Sequence, residues 1–309
     1  MTNKNTTYHT PVLLSESIEA LNIRPDGVYV DATFGGGGHS RAILERLGPE
    51  GRLLAFDRDE DAATNNIDDP RFTLIQADYG YLKNYLRAHG IRQIDGLLAD
   101  LGVSSHQFDT AERGFSTRFE GPLDMRMDRT QELTAERVVN EYGEEELARL
   151  FRQYGELKNA RSLAAAIVRH RTERPIRTTA ALAEAVKAHM PAKKRNKMMA
   201  QLFQALRIEV NGELESLKRL LEQAAQVIRP GGRLAVITYH SLEDRLMKYF
   251  IRSGNFEDKI EKDFYGNYQT PFRKTGKPIV PTPEEIETNP RARSAKLRIA
   301  ERTEHPYKP

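Results

Sequence analysis

Four aspartates stand where apolar runs end: Asp31 after Val28-Tyr-Val30, Asp57 after Arg52-Leu-Leu-Ala-Phe56, Asp78 after Phe72-Thr-Leu-Ile-Gln-Ala77, and Asp100 after Ile94-Asp-Gly-Leu-Leu-Ala99. Short apolar runs bounded by turn residues read as buried strands. Each carboxylate therefore sits at a strand's carboxyl end, the edge where open α/β sheets bind their ligands. A single terminal Asp is often a helix cap, a reading open to Asp31. Four in succession are not explained by capping. Carboxylates so placed accept hydrogen bonds from hydroxyl and amino groups and can take protons from them.

The first two strand ends bracket a second feature, Asp31-Ala-Thr-Phe-Gly-Gly-Gly-Gly-His39, followed by a helical pattern through Leu47. Four consecutive glycines suit a chain that must adopt positive φ or let a ligand approach its backbone. The loop also aims the first N–H groups of the following helix at an anion. A plain strand-to-helix connection is the competing reading. Asp57 lies about 20 residues beyond these glycines, where nucleotide-binding sheets place an acid on the ribose hydroxyls. That spacing favours a cofactor loop.

The elements around these residues form an interrupted α/β pattern. After Asp100 the strand–helix alternation stops, and residues 135–154, 160–171, 179–189 and 198–208 read as helices. The expected division is a core of 1–107 and 212–309 with a helical insertion at 108–211. Beyond it, 213–228 is an amphipathic helix stopped by Pro230-Gly-Gly232, 233–238 a fifth strand, 241–252 a helix with Ser241 as N-cap and Asp244 in its first turn, and 295–300 a final strand. Residues 255–289 read as a long excursion without regular structure.

Composition agrees with a globular α/β protein of 309 residues. No apolar run reaches the ~18 residues of a membrane span, and the first residues lack a signal-peptide core, so a cytoplasmic location is expected. There is no cysteine, which excludes disulfides, thiolate nucleophiles and thiolate metal ligands. The histidines lack ligand spacing and the aspartates have a cofactor role, so no metal is expected. The formal net charge is +3, so affinity for nucleic acid must come from a patch. Residues 169–197 hold nine Lys or Arg against two Glu, including Arg169, Arg171, Arg174, Arg177 and Lys193-Lys-Arg-Asn-Lys197. The first half fits a solvated helix face equally well. Pro191 opens the second half, a loop-like run whose mutual repulsion polyphosphate would relieve.

Tyr239-His240 closes the fifth strand at the acidic edge. Either ring has the shape to stack on an extruded base, and His240 reads equally well as a strand-end histidine with its polar atoms satisfied. Asp124, Arg126 and Asp128 alternate with Met, as an ion-paired turn or an RNA-facing wall. His9 is a further candidate to cover the cofactor.

The strings TPVLL (Thr10 to Leu14), DATFGGGGHS (from Asp31), DLGVSS (from Asp100), RGFS (from Arg113), GPLDMRMD (from Gly121), FQALRIEVNGEL (from Phe203), YHSLEDR (from Tyr239) and NPRARSAKLR (from Asn289) closely resemble the methyltransferase H family of small-subunit ribosomal RNA. They span nearly the whole chain in the family's order. The resemblance implies a Rossmann-like class I S-adenosylmethionine-dependent methyltransferase sheet with an inserted all-helical subdomain. It implies methylation of the exocyclic N4 of one cytidine of 16S rRNA, at the decoding centre of the small (30S) ribosomal subunit. The family's cofactor residues fall on Gly37, Gly38, His39, Asp57, Tyr79, Asp100 and Gln107, with Tyr79 where the family commonly has Phe. Asp100, with Tyr239 and His240, is the catalytic candidate, by positioning or proton acceptance; contact with the cofactor's methionine part is the other role open to Asp100. The absent cysteine agrees with an amino target, because C5 methylation of cytosine needs a nucleophile that adds to the ring. A nicotinamide dehydrogenase would share the loop and Asp57, a protein or small-molecule methyltransferase would keep the cofactor half, and a non-catalytic RNA-binding module would keep the basic patch. Whether the chain forms a homodimer stays open at this level.

Overall fold

A computed structural model describes residues 11–260 and 269–307. His9 and Thr10 lie outside the described residues. The chain divides into two compact units, one of Met1–Gly102 with Leu214–Pro309 and one of Val103–Glu213.

The strands are β1 (Val28–Asp31), β2 (Arg52–Asp57), β3 (Phe72–Gln76), β4 (Ile94–Asp100), β5 (Ile228–Thr238), β6 (Phe272–Lys274) and β7 (Lys296–Arg302). Helices α1 (Leu14–Leu21), α2 (Gly38–Leu44) and α3 (Leu82–Ala88) precede the second unit. Helices α4 (Ser105–Asp109), α5 (Ala135–Glu141), α6 (Glu144–Gln153), α7 (Ala160–Glu173), α8 (Thr179–Val186) and α9 (Arg195–Asn211) build it. Helices α10 (Glu213–Val227), α11 (Ser241–Ser253) and α12 (Pro283–Thr288) follow.

The first unit holds one sheet in the order β3-β2-β1-β4-β5-β7-β6, with β1 to β5 parallel and β7 antiparallel to both its neighbours. This is the open α/β, Rossmann-like sheet expected from the sequence. Its strand order reverses between β1 and β4, the crevice where such sheets bind ligands. The strands read as continuous apolar runs because both faces are covered. Val30, Phe56, Leu97 and Val236 pack with Leu220, Leu221 and Phe250 on one side. Tyr29, Leu53, Leu98 and Ile237 pack with Leu21 and Ile43 on the other. Pro230-Gly-Gly232, expected to stop the preceding helix, follows the end of α10 at Val227 and lies inside β5: pairing jumps from Ile94 with Ile228 to Gly96 with Arg233, a bulge in which Gly231 takes φ +79°. The excursion at 255–289 carries β6 and α12.

The second unit is helical around its own apolar core, which includes Leu123, Val138, Phe151, Leu163, Leu182 and Leu206. Residues 103–107 belong to it because Val103 and Phe108 pack against that core. The single helix expected over 135–154 is two. Tyr142 is extended, and Gly143 caps α6 with its N–H donating to Glu146 Oε2 at 3.0 Å. The run at 193–197, expected as loop, is a 3-10 turn at Ala192–Lys194 that passes into α9 at Arg195. Pro191, read as opening a loop, instead precedes this turn, and like charges spaced around a helix face diverging directions, which lowers their mutual repulsion.

Candidate active site

The β1–α2 loop is fixed by three strand ends. Asp31 is fully buried; it accepts Ser40 Oγ at 2.7 Å and Thr33 N at 3.1 Å, and burial pushes its carboxyl up. It anchors the loop internally, as neither a ligand-facing acid nor a helix cap. Thr33 Oγ1 accepts Asp100 N at 2.6 Å, tying the loop to β4. Phe34 N donates to Phe56 O at 2.8 Å, tying it to β2.

Gly35 takes φ +51°, with no atom within 4 Å of the position a Cβ would occupy, and its N–H donates to Asp57 Oδ2 at 2.8 Å. Its carbonyl accepts Asn65 Nδ2 at 3.0 Å. Gly38 is bare for another reason: a Cβ there would strike the Pro11 ring. The glycine that faces open space is Gly35, whereas Gly37 ends the turn and caps α2.

Asp57, at the end of β2, also accepts Asp59 N on Oδ1 at 2.9 Å. Burial outweighs these two N–H donors and pushes its carboxyl up to about 6. Beyond β3, Asp78 accepts Gly80 N at 2.6 Å and Ser216 Oγ at 2.7 Å, with Arg58 Nη2 at 3.3 Å. It thereby holds Tyr79 on a short 3-10 turn under the Arg58 guanidinium, 5.5 Å from the ring centre. A ring gripped in this way is a flat wall for a stacked base.

Asp100 ends β4 with Oδ1 accepting the Tyr239 hydroxyl at 2.7 Å and Oδ2 4.0 Å from His39 Nδ1. Burial raises its carboxyl to about 6, against the opposing pull of His39 and of the Tyr239 bond. Burial, reinforced by Asp100, holds the Tyr239 hydroxyl well above its ordinary range, so the phenol stays protonated and donates. His39 is buried and its pKa is lowered, first by burial. Its Nε2 meets the Val12 carbonyl at 3.2 Å. A carbonyl only accepts, so Nε2 donates to it, and Nδ1 is the ring nitrogen that faces Asp100.

His240 caps α11, the place expected for Ser241: its Nδ1 accepts Glu243 N at 3.5 Å, and its Nε2 lies 3.1 Å from Glu243 Oε1. Glu243 is 2% exposed, and its Oε2 accepts both Tyr239 N at 2.9 Å and His240 N at 3.3 Å. The buried glutamate therefore clasps the turn that aims Tyr239 at Asp100. The signal for Glu243 is the three-residue spacing of a capping box, with His in place of Ser or Thr. Thr33, Ser40 and Asn65 carry no such signal, since their roles depend on strands distant in sequence.

Gly37, Gly38, His39, Asp57, Tyr79, Asp100, Tyr239 and His240 all lie in the first unit, in or beyond the carboxyl ends of β1 to β5. Direct contacts join Asp100 to Tyr239 and, more loosely, to His39. Gln107 belongs to the second unit. It is buried, and its Oε1 accepts Ser104 N at 3.0 Å in the capping box of α4. In that unit Arg126 grips both oxygens of Asp124 at 2.8 Å, the ion-paired form of the Asp-Met-Arg-Met turn. Asn211 secures the turn from α9, accepting Met127 N and donating to Met125 O. Arg169, Arg174, Arg177, Lys187, Lys193, Lys194 and Lys197 are exposed, whereas Arg171 turns inward and donates to Val139 O at 2.7 Å.

Half-buried carboxyls held near 6, beside a bare glycine and a gripped aromatic ring, suit a nucleoside ligand that offers hydroxyl donors and positive charge. No helix among the described residues is long and apolar enough to cross a membrane. Comparison with known proteins assigns the family. The chain is 60% identical over 295 residues to ribosomal RNA small subunit methyltransferase H of Flavobacterium johnsoniae, covering 96% of this chain and 98% of that one. Proteins of the same name from Bacteroides thetaiotaomicron and Cytophaga hutchinsonii are 58% and 57% identical, each over 96% of this chain and 98% and 99% of theirs. Residues 6–303 match one family model, and the chain belongs to the MraW methylase family.

Proposed function

We propose that this methylase uses S-adenosylmethionine to methylate the exocyclic N4 of a cytidine in small-subunit (16S) ribosomal RNA, at the decoding centre, in the cytoplasm. The observation that carries the reading is the pair of raised carboxyls, Asp57 and Asp100, flanking the strand-order reversal beside an open Gly35. A cofactor with a sulfonium, an ammonium and ribose hydroxyls returns to such carboxyls the charge and donors that burial withholds. When bound, the cofactor supplies an electrophilic methyl group on sulfur.

The residues do the rest. Asp57 accepts the ribose hydroxyls, Tyr79 walls the adenine, and the loop through Gly37, Gly38 and His39 lies along the methionine part. Gln107 is the remaining cofactor residue that the family resemblance implies. Asp100, oriented by Tyr239, holds the N4 hydrogens and receives the proton released when the N–C bond forms. His240 and Glu243 act one step back, by fixing Tyr239. The N4 lone pair is delocalised into the ring, so orientation in line with the methyl carries most of the gain, up to ~7–11 kcal/mol in favourable intramolecular cases. The exposed cations of the helical unit, from Arg169 to Lys197, supply the phosphate contacts that position the RNA.

Calorimetric titration with S-adenosylmethionine, followed by transfer of its labelled methyl group to isolated small subunits, tests the reading. Binding by the wild type with label in the rRNA fraction is expected. Label in ribosomal protein, or binding that survives Asp57→Ala undiminished, overturns it.

A further inference from the structure

The turn that carries Tyr79 also displays Tyr81, and no part of the proposed cofactor site uses that second ring. Tyr81 is 52% exposed, with the Arg219 guanidinium 5.7 Å from its ring centre. Such a large ring left in solvent is ordinarily loose, yet this one stands on a fixed support. Gln223 Nε2 donates to Gly80 O at 2.5 Å and Gln223 Oε1 accepts Lys83 N at 2.8 Å, clamping the turn to α10 on both sides. Ser216 adds a third tie through Asp78, and Arg219 Nη2 donates to Ser216 Oγ at 2.9 Å.

A basic track continues from the ring. No Asp or Glu occurs between Asp78 and Asp95, a stretch that carries Lys83, Arg87, His89 and Arg92. Lys83 and Arg87 are four residues apart on α3 and share one face. Arg87 and Arg92 are exposed and form no ion pair among the described residues. With Lys83 they line a shallow groove between α3 and the end of α10, floored by Leu86, Ile91 and Val227. Fixed aromatic rings that neighbour a line of uncompensated cations are the elements of single-strand recognition, stacking for bases and charge for phosphates.

We propose that Tyr81 and the α3 track of Lys83, Arg87 and Arg92 form a second RNA-contact surface, on the methyltransferase core itself, which stacks one unpaired base and follows its backbone phosphates. The proposal rests on the RNA reading above and deepens it. Rigid display keeps the ordering cost of the ring low, and the surface serves whichever base is presented because stacking is tolerant of sequence.

Fluorescence anisotropy of the full-length protein with an unstructured small-subunit rRNA fragment, over a salt series, tests the surface. Tyr81→Ala is expected to weaken binding about tenfold, by the scale of base–aromatic stacking, with Tyr81→Phe restoring it. The double variant Arg87→Glu with Arg92→Glu is expected to weaken binding and flatten the salt dependence by about one to two phosphates' worth of slope. S-adenosylmethionine affinity, unchanged in all three, reports an intact fold. Wild-type affinity and salt slope in Tyr81→Ala and in the double variant, with the native protein binding RNA, overturn the surface while the RNA reading stands. A native protein that binds no RNA at low salt overturns the RNA reading and the surface with it.

Discussion

At the residue scale, the site depends on two carboxyls that burial holds at about 6. Replacing Asp57 by Asn keeps the shape and removes the charge that Gly35 N–H meets and that the proposed reading offers to the ribose hydroxyls. Cofactor affinity is expected to fall about 10- to 100-fold, the range for hydrogen bonds to a charged group, as read by calorimetry. The same values set a pH dependence. Cofactor binding needs ionised carboxylates, so affinity is flat above pH 7 and weakens as pH falls through about 6, by up to about tenfold per unit for each required group. Stability of the ligand-free protein moves the other way. Asp57 and Asp100 titrate near 6 when folded against an ordinary 3.8, so the folded state holds more protons between those values, and these two groups favour the fold at low pH and lose that contribution as pH rises through 6. The thermal shift caused by S-adenosylmethionine is therefore expected to shrink between pH 7.5 and 5.5; a shift that grows contradicts the assignment. The positions of Asp57 and Asp100 were legible in the sequence, because a strand pattern announces its own carboxyl end. Tyr239 was legible as a strand-end residue, but its grip on Asp100 was not, since the bond joins residues 139 apart.

At the element scale, the β1–α2 loop and the Asp-Met-Arg-Met turn show what pattern reading reaches. Four glycines predicted a ligand loop, yet they are not bare for one reason: Gly35 has an open face at positive φ, and Gly38 meets the Pro11 ring. Only tertiary packing separates those reasons. The turn at 124–128 has positive φ at Met125 and is held by Asn211 through two bonds at 2.8 Å, with a third from Asn211 Nδ2 to Arg207 O at 2.9 Å. Asn211→Ala leaves buried backbone groups unpaired and is expected to cost about 2–3 kcal/mol, measured by urea denaturation. The break between α5 and α6 was missed because the apolar positions on each side keep helical spacing, and Gly143 with the three glutamates after it was not read as a new helix start. The basic run at 193–197 was read as loop because Pro191 opens it, whereas the 3-10 turn at Ala192–Lys194 passes directly into α9.

At the scale of the whole molecule, the sequence marked two kinds of structure by where strand–helix alternation stops and resumes. It placed the first junction at residue 107, whereas the compact helical unit begins at Val103; a capping box of Ser104 and Gln107 opens that unit, and its neighbours Val103 and Phe108 pack inward. With a net charge of +3, RNA affinity must come from local patches. Lys193→Glu with Lys194→Glu is expected to weaken rRNA binding and lower its salt slope while cofactor affinity holds, a comparison made by filter binding at several salt concentrations. The most direct test of the whole account is to incubate the protein with methyl-labelled S-adenosylmethionine and small subunits from cells lacking the enzyme, digest the rRNA, and identify the labelled nucleoside. The account predicts N4-methylated cytidine, lost in Asp57→Ala and Asp100→Ala. Label in C5-methylated cytidine, in another nucleoside, or undiminished in those variants contradicts it.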